Sequence, residues 1–268
     1  MDERLRANRE WWDELVDIHV RSQFYDVDGF KAGRNTLSPI ELGELGDVAG
    51  KALLHLQCHF GLDTLSWARL GARVTGVDFS PSAIQTASVL ARELGIEAEF
   101  VEAEIYDLPR SLDRRFDIVF TSYGVLCWLP DLDRWAAAAA RCLRPGGFFY
   151  IAEFHPFADV FDDQSESMIF RYPYFSTNEP FVFQGNEGSY ADRTAILRTQ
   201  TVYSWTHSLG DVVNAVLGAG LSLDFLHEFP YSPEAGRPWM TRSADGLYRA
   251  REHDGLFPLV FSLKATKR

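Results

Sequence analysis

The stretch LLHLQCHFG, Leu53 to Gly61, joins an apolar run to a turn holding two histidines, an amide and one glycine. A strand feeding such a turn brings backbone and side-chain groups to a ligand at the strand's carboxyl end. Glycine serves there where the chain must approach a ligand closely or take positive φ. His55, Gln57 and His59 stand where small or acidic residues are usual, so room and conformational freedom are reduced. In exchange, Gln57 and His59 can point away or donate to a carboxylate, and Gly61 keeps the turn. Asp78 closes a second apolar run, VTGVDF, roughly 20 residues beyond the first turn, where a carboxylate accepts hydrogen bonds from both hydroxyls of an adenosine ribose. Its other use is to cap the helix that follows. His155 ends a later run, FFYIAEFHPF, and is placed to handle a proton at a sheet rim. His55, His59 and His155 together raise metal ligation; hydrogen-bonded structural histidines are the ordinary alternative, and no metal is assigned.

These residues need strands to present them. KALLHLQC reads as a short buried strand, DTLSWARLG as a helix ended by Gly71, and ARVTGVDF as a second strand. The next helix is capped by Ser80, carries Pro81 in its first turn, places Ile84, Ala87, Ala91 and Leu94 on one face, and stops at Gly95. AEFVEA and FDIVFTS give a third and a fourth strand. A helix opened by Asp131, with Trp135, Ala139 and Leu143, then leads through RPGG to a fifth strand, FFYIAEF. This alternation predicts right-handed crossovers and a parallel sheet covered on both faces, with ligands at the carboxyl ends of its strands.

Past His155 the helical period is lost. Residues 157 to 205 are dense in Phe and Tyr, and MIFRYPYF and TAILRTQTVYSW read as antiparallel strands. Ser208 then caps a helix through GDVVNAVLGAG, and LSLDFLHEF and PLVFSLKAT read as closing strands. The expected organisation is a single domain: residues 1–50 a helical cover, 51–155 a cofactor-binding core, 156–207 an aromatic-rich β insertion, and 208–268 the closing helix and strands. So many aromatic side chains must bury against the domain, a partner subunit or a ligand. We expect the insertion to cap the sheet's carboxyl edge and supply most of the acceptor pocket, with a homodimer contact as the alternative.

A net charge of −12 repels phosphate backbones and anionic lipid, so neither nucleic acid nor a membrane is the expected partner. The charged start, MDERLRANREWW, lacks the apolar core of a secretory signal, and no stretch approaches the roughly 20 apolar residues of a membrane span. A cytoplasmic location follows as the expectation. Cys58, Cys127 and Cys142 form no CxxC pair and suit packed, reduced thiols rather than a disulfide framework.

Taken in order and spacing, LLHLQCHFGLDT, VTGVDFSPSAI, VEAEIYDLP, FDIVFTSYGVLCWLPDL and CLRPGGFFYIAEF resemble the successive motifs of the class I S-adenosylmethionine-dependent methyltransferases. The resemblance covers residues 50 to 155 closely and the segment after 208 more loosely. It implies a Rossmann-like α/β fold with seven mostly parallel strands, an antiparallel last strand and an inserted β-rich cap. It further implies S-adenosyl-L-methionine as cofactor and methyl transfer to a small-molecule acceptor. By the same resemblance Gln57, His59 and Gly61 line the methionine and ribose part, Asp78 binds the ribose hydroxyls with Phe79 against the adenine, and Glu104 and Ile105 reach the adenine edge. Ser122 and Tyr123 meet the methionine and the transferring methyl, with Tyr123 and His155 as catalytic candidates. Tyr25 and Trp12, on the leading segment, shield the sulfonium by cation–π contact or simply pack on the sheet. The departure lies in the opening motif, whose acidic residue and first two glycines are replaced. Two rival readings remain: a noncatalytic S-adenosylmethionine-binding protein, and a nicotinamide-dependent oxidoreductase, which needs a G-x-G-x-x-G turn that QCHFGL does not provide.

Overall fold

The strands that read as near-continuous apolar runs are those buried on both faces. In the computed structural model, which describes residues 2–108, 112, 114–177, 179–185 and 188–268, β1 (Ala52–Leu56) and β4 (Phe116–Ser122) lie side by side at the centre of a seven-stranded sheet. Pro109, the last residue of VEAEIYDLP, lies outside the described residues. On one side of the pair follow β2 (Arg73–Asp78) and β3 (Ala98–Glu102). On the other follow β5 (Leu143–Phe154), then the last strand, Val260–Lys267, and then Leu221–Phe229. Only Val260–Lys267 runs antiparallel to its neighbours. Strand order reverses between β1 and β4, which opens a crevice at their carboxyl ends.

Local chemistry sets the helices. Asp2 accepts from the Leu5 amide to start α1 (Glu3–Arg21), which is followed by the single turn α2 (Val27–Lys31). Ser38 and Glu41 form a reciprocal capping box on α3 (Pro39–Leu45), a short helix that the periodic pattern did not reveal. Gly61 opens α4 (Leu62–Arg69), and Ser80 caps α5 (Pro81–Leu94), which ends at Gly95 with φ 62°. Asp131 caps α6 (Leu132–Cys142), and Ser208 caps α7 (Leu209–Gly218). Alternation along β1 divides the core: Leu54 and Leu56 pack with Trp135 and Phe149 under α6 and α7, while Leu53 packs with Trp67, Phe120 and Tyr150 on the opposite face. No helix among the described residues is long and apolar enough to cross a membrane.

The insertion is less regular than its sequence suggested. Its regular part is the hairpin of β6 (Phe181–Gln184) and β7 (Thr201–Ser204). MIFRYPYF forms only an isolated bridge between Phe170 and Phe161, because Pro173 removes a ladder donor and no further strand pairs beside it. Its aromatics divide: Phe161 is buried against Trp239 and Phe257, whereas Phe170 and Phe175 are 70% and 73% exposed. After β8 (Leu221–Phe229) the chain makes an unforeseen second hairpin, β9 (Met240–Arg242) with β10 (Tyr248–Ala250), before β11 (Val260–Lys267). The connection between β8 and β9 passes over the crevice.

Two glycines set how closely the first turn can lie on β2 and β3. A Cβ on Gly76 would sit 2.7 Å from the Phe100 ring and 2.9 Å from Cys58 Sγ, and one on Gly61 would sit 2.7 Å from the same ring. Gly61 also has φ +80°, which disfavours any side chain. Gly76→Ala should therefore lower the unfolding free energy by about 1–3 kcal/mol through overpacking, with partial recovery when Phe100→Leu is added. Urea titration of the single and double variants checks this, and an unchanged midpoint for Gly76→Ala would show that the contact relaxes freely.

Candidate functional site

The carboxyl ends of β1 to β4 open into one cavity of about 470 Å³, a size suited to a nucleoside-sized ligand. Its first wall is the LQCHFG turn. Gln57 and His59 stand at φ 54° and 51°, in the left-handed region, so the backbone keeps the path that glycines would give while carrying two polar side chains. Such residues persist only where their surroundings over-determine them. Here the His59 amide donates to Asp78 Oδ2 at 2.8 Å, the Cys58 amide to the Val77 carbonyl at 2.9 Å, and Gln57 Nε2 to the Val125 carbonyl at 3.2 Å. The His59 ring meets Trp12 edge-on, centroids 5.3 Å apart, and its Nε2 lies 2.9 Å from His19 Nδ1. His19 Nε2 in turn lies 2.6 Å from Ser189 Oγ. Burial holds His19 down to about 4 and His59 well below its ordinary value, so the pair is neutral and one ring donates to the other.

Asp78 is 8% exposed; its Oδ1 accepts from the Ser80 amide at 2.9 Å while Oδ2 holds His59. Burial lifts its carboxyl to about 6 against those two amides, which pull the other way. Each oxygen keeps a further acceptor position. Phe79, Glu104 and Ile105 line the same end of the cavity, and Glu104 Oε1 accepts from the Tyr106 amide at 3.1 Å. Trp12 packs edge-on to Trp128 beside them, and the Tyr25 hydroxyl pairs with that of Tyr190.

Towards β4 the wall becomes acidic. Asp63 takes Thr36 Oγ1 at 2.6 Å and Ser122 Oγ at 3.3 Å, and burial raises its carboxyl. Tyr123, at φ 27°, donates its hydroxyl to Glu41 Oε2 at 3.0 Å. Burial, then the charge of Glu41, lifts the Tyr123 phenol well above its ordinary value, so Tyr123 is a hydrogen-bond donor and not a base. Burial likewise raises Glu41 to about 8 and Glu153 to about 7. Glu153 anchors the turn after β4 by accepting from the amides of Gly124, Val125 and Leu126.

The expected site residues Tyr25, Gln57, His59, Gly61, Asp78, Phe79, Glu104, Ile105, Ser122 and Tyr123 all line this one cavity. His155 is the correction. It lines a separate cavity of about 340 Å³ with Phe157, Tyr174 and Phe257; its Nδ1 accepts from the Phe157 amide at 3.0 Å, and its Nε2 faces Glu228 at 2.9 Å. Both ring nitrogens are engaged away from the main cavity, so the expectation of proton handling there loses its geometry. The insertion also supplies less of the wall than expected: Tyr190 is its contribution among the described residues, while Pro233 to Arg237, after β8, provide the rest of that side. Glu41, Asp63, Tyr190, Glu234 and Arg237 were not singled out from sequence. A signal existed for Glu41, since SPIE is a capping-box pattern; YSPEAGRP reads only as a turn-rich connection.

Residues 54–151 match the family described as "Methyltransferase domain". The chain is 31% identical over 136 residues to the ubiquinone biosynthesis O-methyltransferase of Xanthomonas oryzae pv. oryzae, covering 50% of this chain and 56% of that one. It is 31% identical over 132 residues to the protein of that name in Klebsiella pneumoniae, with 48% and 54% covered. The chain thus spans about half the length of these curated relatives. Among solved structures, an S-adenosylmethionine-dependent methyltransferase from Mesorhizobium loti superposes with a TM-score of 0.55 at 20% identity, covering 88% of this chain and 100% of that one. The DhpI–SAH complex superposes with a TM-score of 0.57 at 16% identity, covering 98% and 97%. At these identities the structures speak for the fold.

The buried acids make ligand-free stability depend on pH. Glu41, Glu153 and Glu234 hold their protons to about 8, 7 and 7, above the ordinary 4.5, so their contribution is full below that value and is lost as pH rises through the folded values. His19 has the opposite sign: its contribution is full above 6.5 and is lost as pH falls through about 4. Above pH 6.5 only the acids vary. The urea midpoint should therefore fall between about pH 6.5 and about pH 8.5, and Glu41→Gln, which keeps the contacts to Ser38 and Tyr123, should flatten the fall. A flat wild-type profile would contradict this account.

Proposed function

We propose that the chain, whose residues 54–151 match a methyltransferase domain, is a class I S-adenosylmethionine-dependent methyltransferase that transfers the cofactor's methyl group to a small-molecule acceptor by in-line displacement. The observation that carries the reading is the continuity of the cavity. It runs from Asp78, Phe79, Glu104 and Ile105 at the ends of β2 and β3, past the LQCHFG turn, to Ser122 and Tyr123 at the end of β4. The residues fit the cofactor. Gln57 Oε1 is buried in the wall without a hydrogen-bond partner among the described residues, and Asp78 retains acceptor positions for a ribose diol. The aromatic faces of Trp12 and Tyr25 suit a cation.

S-adenosylmethionine supplies a methyl carbon on a sulfonium, open to attack by a lone pair. In this reading Phe79 and Ile105 enclose the adenine beside Glu104, and Asp78 holds the ribose hydroxyls. Gln57, His59 and Gly61 shape the passage for the methionine part, and Ser122 and Tyr123 stand where the methyl is exposed. Tyr123, kept protonated and with its one O–H held by Glu41, presents its ring and the lone pairs of its oxygen to the acceptor. The cover formed by residues 1–50 and Tyr190 of the insertion exclude water, so catalysis rests on positioning. A net charge of −12 favours a diffusible acceptor in the cytoplasm over nucleic acid.

Calorimetric titration with S-adenosylhomocysteine tests the reading. Wild-type protein should bind it, and Asp78→Ala should weaken binding by about 1.5–3 kcal/mol, the worth of hydrogen bonds to a charged group, with the unfolding midpoint recorded alongside. Unchanged affinity would remove Asp78 from the site. Absence of binding by the wild type would sink the methyl-transfer reading itself.

A further inference from the structure

Each carboxylate in the cavity wall is committed to a partner except one. Asp78 holds the His59 and Ser80 amides, Glu104 the Tyr106 amide, Asp63 the Thr36 and Ser122 hydroxyls, and Glu41 the Ser38 amide and Tyr123 hydroxyl. Glu234, on the connection after β8, also lines the cavity. Its amide donates to Ser232 Oγ at 3.2 Å, but its carboxylate has no hydrogen bond or ion pair among the described residues. The acidic and phenolic groups that act on it electrostatically are Asp63 on α4, Glu153 on β5, Tyr25 after α1 and Tyr190 in the insertion.

Among the described residues the cavity's two arginines are each paired with an acid: Arg34 Nε holds Asp26 at 3.0 Å, and Arg237 Nη2 holds Asp159 at 2.6 Å, while the Arg237 Nε–H is buried without a hydrogen-bond partner. An anionic ligand on this side would meet carboxylates and guanidinium charges already offset by Asp26 and Asp159, with the Arg237 Nε–H as an open donor. A ligand with a neutral or cationic hydrogen-bond donor would instead satisfy the one unpartnered acid.

We propose that Glu234 faces the methyl acceptor, selects one that carries an O–H or N–H group and no anionic group, and receives the proton that this group releases. The proposal rests on the methyl-transfer reading. As the acceptor's oxygen or nitrogen lone pair takes the methyl group, the bonding pair to sulfur stays on sulfur. The proton of the O–H or N–H passes to the Glu234 carboxylate and from there to solvent. Burial, with the charges of Asp63 and Glu153, raises Glu234 to about 7, so both its forms exist near neutrality and it can take and return a proton.

Three phenols of one size test this: tyramine, tyrosol and 4-hydroxyphenylacetate, which present a cation, a neutral group and an anion. Each is titrated calorimetrically into the full chain saturated with S-adenosylhomocysteine. Tyramine and tyrosol should bind, with 4-hydroxyphenylacetate weaker by about tenfold. Tyramine's advantage should grow from about pH 6 to about pH 8 as Glu234 ionises. Glu234→Gln should abolish both the discrimination and its pH dependence with S-adenosylhomocysteine affinity unchanged, whereas Glu234→Asp should keep them. The proposal is overturned if the anion binds as well as the cation, if Glu234→Gln leaves the discrimination intact, or if none of the three binds. Each of those results, obtained with normal S-adenosylhomocysteine binding, leaves the methyl-transfer reading standing.

Discussion

One carboxylate holds the site in shape. Asp78 accepts from the amides of His59 and Ser80 and thereby joins the turn after β1 to the turn after β2, 19 residues apart at the first contact. That brace acts together with the Cys58 amide bond to Val77, the Gln57 bond to Val125 and the packing of the His59 ring on Trp12 to hold Gln57 and His59 at positive φ. The brace is effective because it is buried: a charge-assisted hydrogen bond counts for more where water cannot compete. The same burial raises the carboxyl to about 6, so the group that shapes the cavity is also held at an electrostatic disadvantage until a ligand's donors reach it.

That disadvantage extends along the wall. Glu41, Asp63, Glu153 and Glu234 are all raised, with burial the largest cause in each. Acids gathered in a dry cleft repel one another and favour a cation between them. On the methyl-transfer reading proposed above, a sulfonium suits this field and the neutral thioether left after its methyl is lost suits it less, so one arrangement of fixed groups would favour both binding of the charged form and release of the spent one.

Much of this was legible in the residues, and the exceptions have physical causes. FDIVFTS coincides with β4, and Ser80, Pro81 and Gly95 bound α5, because burial on both faces and cap chemistry are local properties of the chain. Asp78 was legible because a strand end fixes where its side chain points. His155 misled for the complementary reason. A strand end places a residue at the rim but does not say which neighbour will take it, and Glu228, two strands away on β8, closes the ring nitrogen off. Glu41 and Glu234 reach the cavity from a short helix and a turn-rich connection, whose positions depend on tertiary packing that no periodicity encodes. The left-handed backbone of Gln57 and His59 was hidden because residue type alone disfavours it.

The chain of contacts from Ser189 through His19 to His59 ties together a connection, the leading helix and the cofactor turn, segments separated by 170 and 40 residues in sequence. Separating the leading helix from the turn breaks the imidazole pair and wets two rings that burial had kept neutral, His19 at about 4 and His59 well below 6.5. Once wetted they recover ordinary basicity and take up protons below pH 6.5. An arrangement with the helix lifted from the turn would therefore bind more protons than this one, and mild acid would favour it.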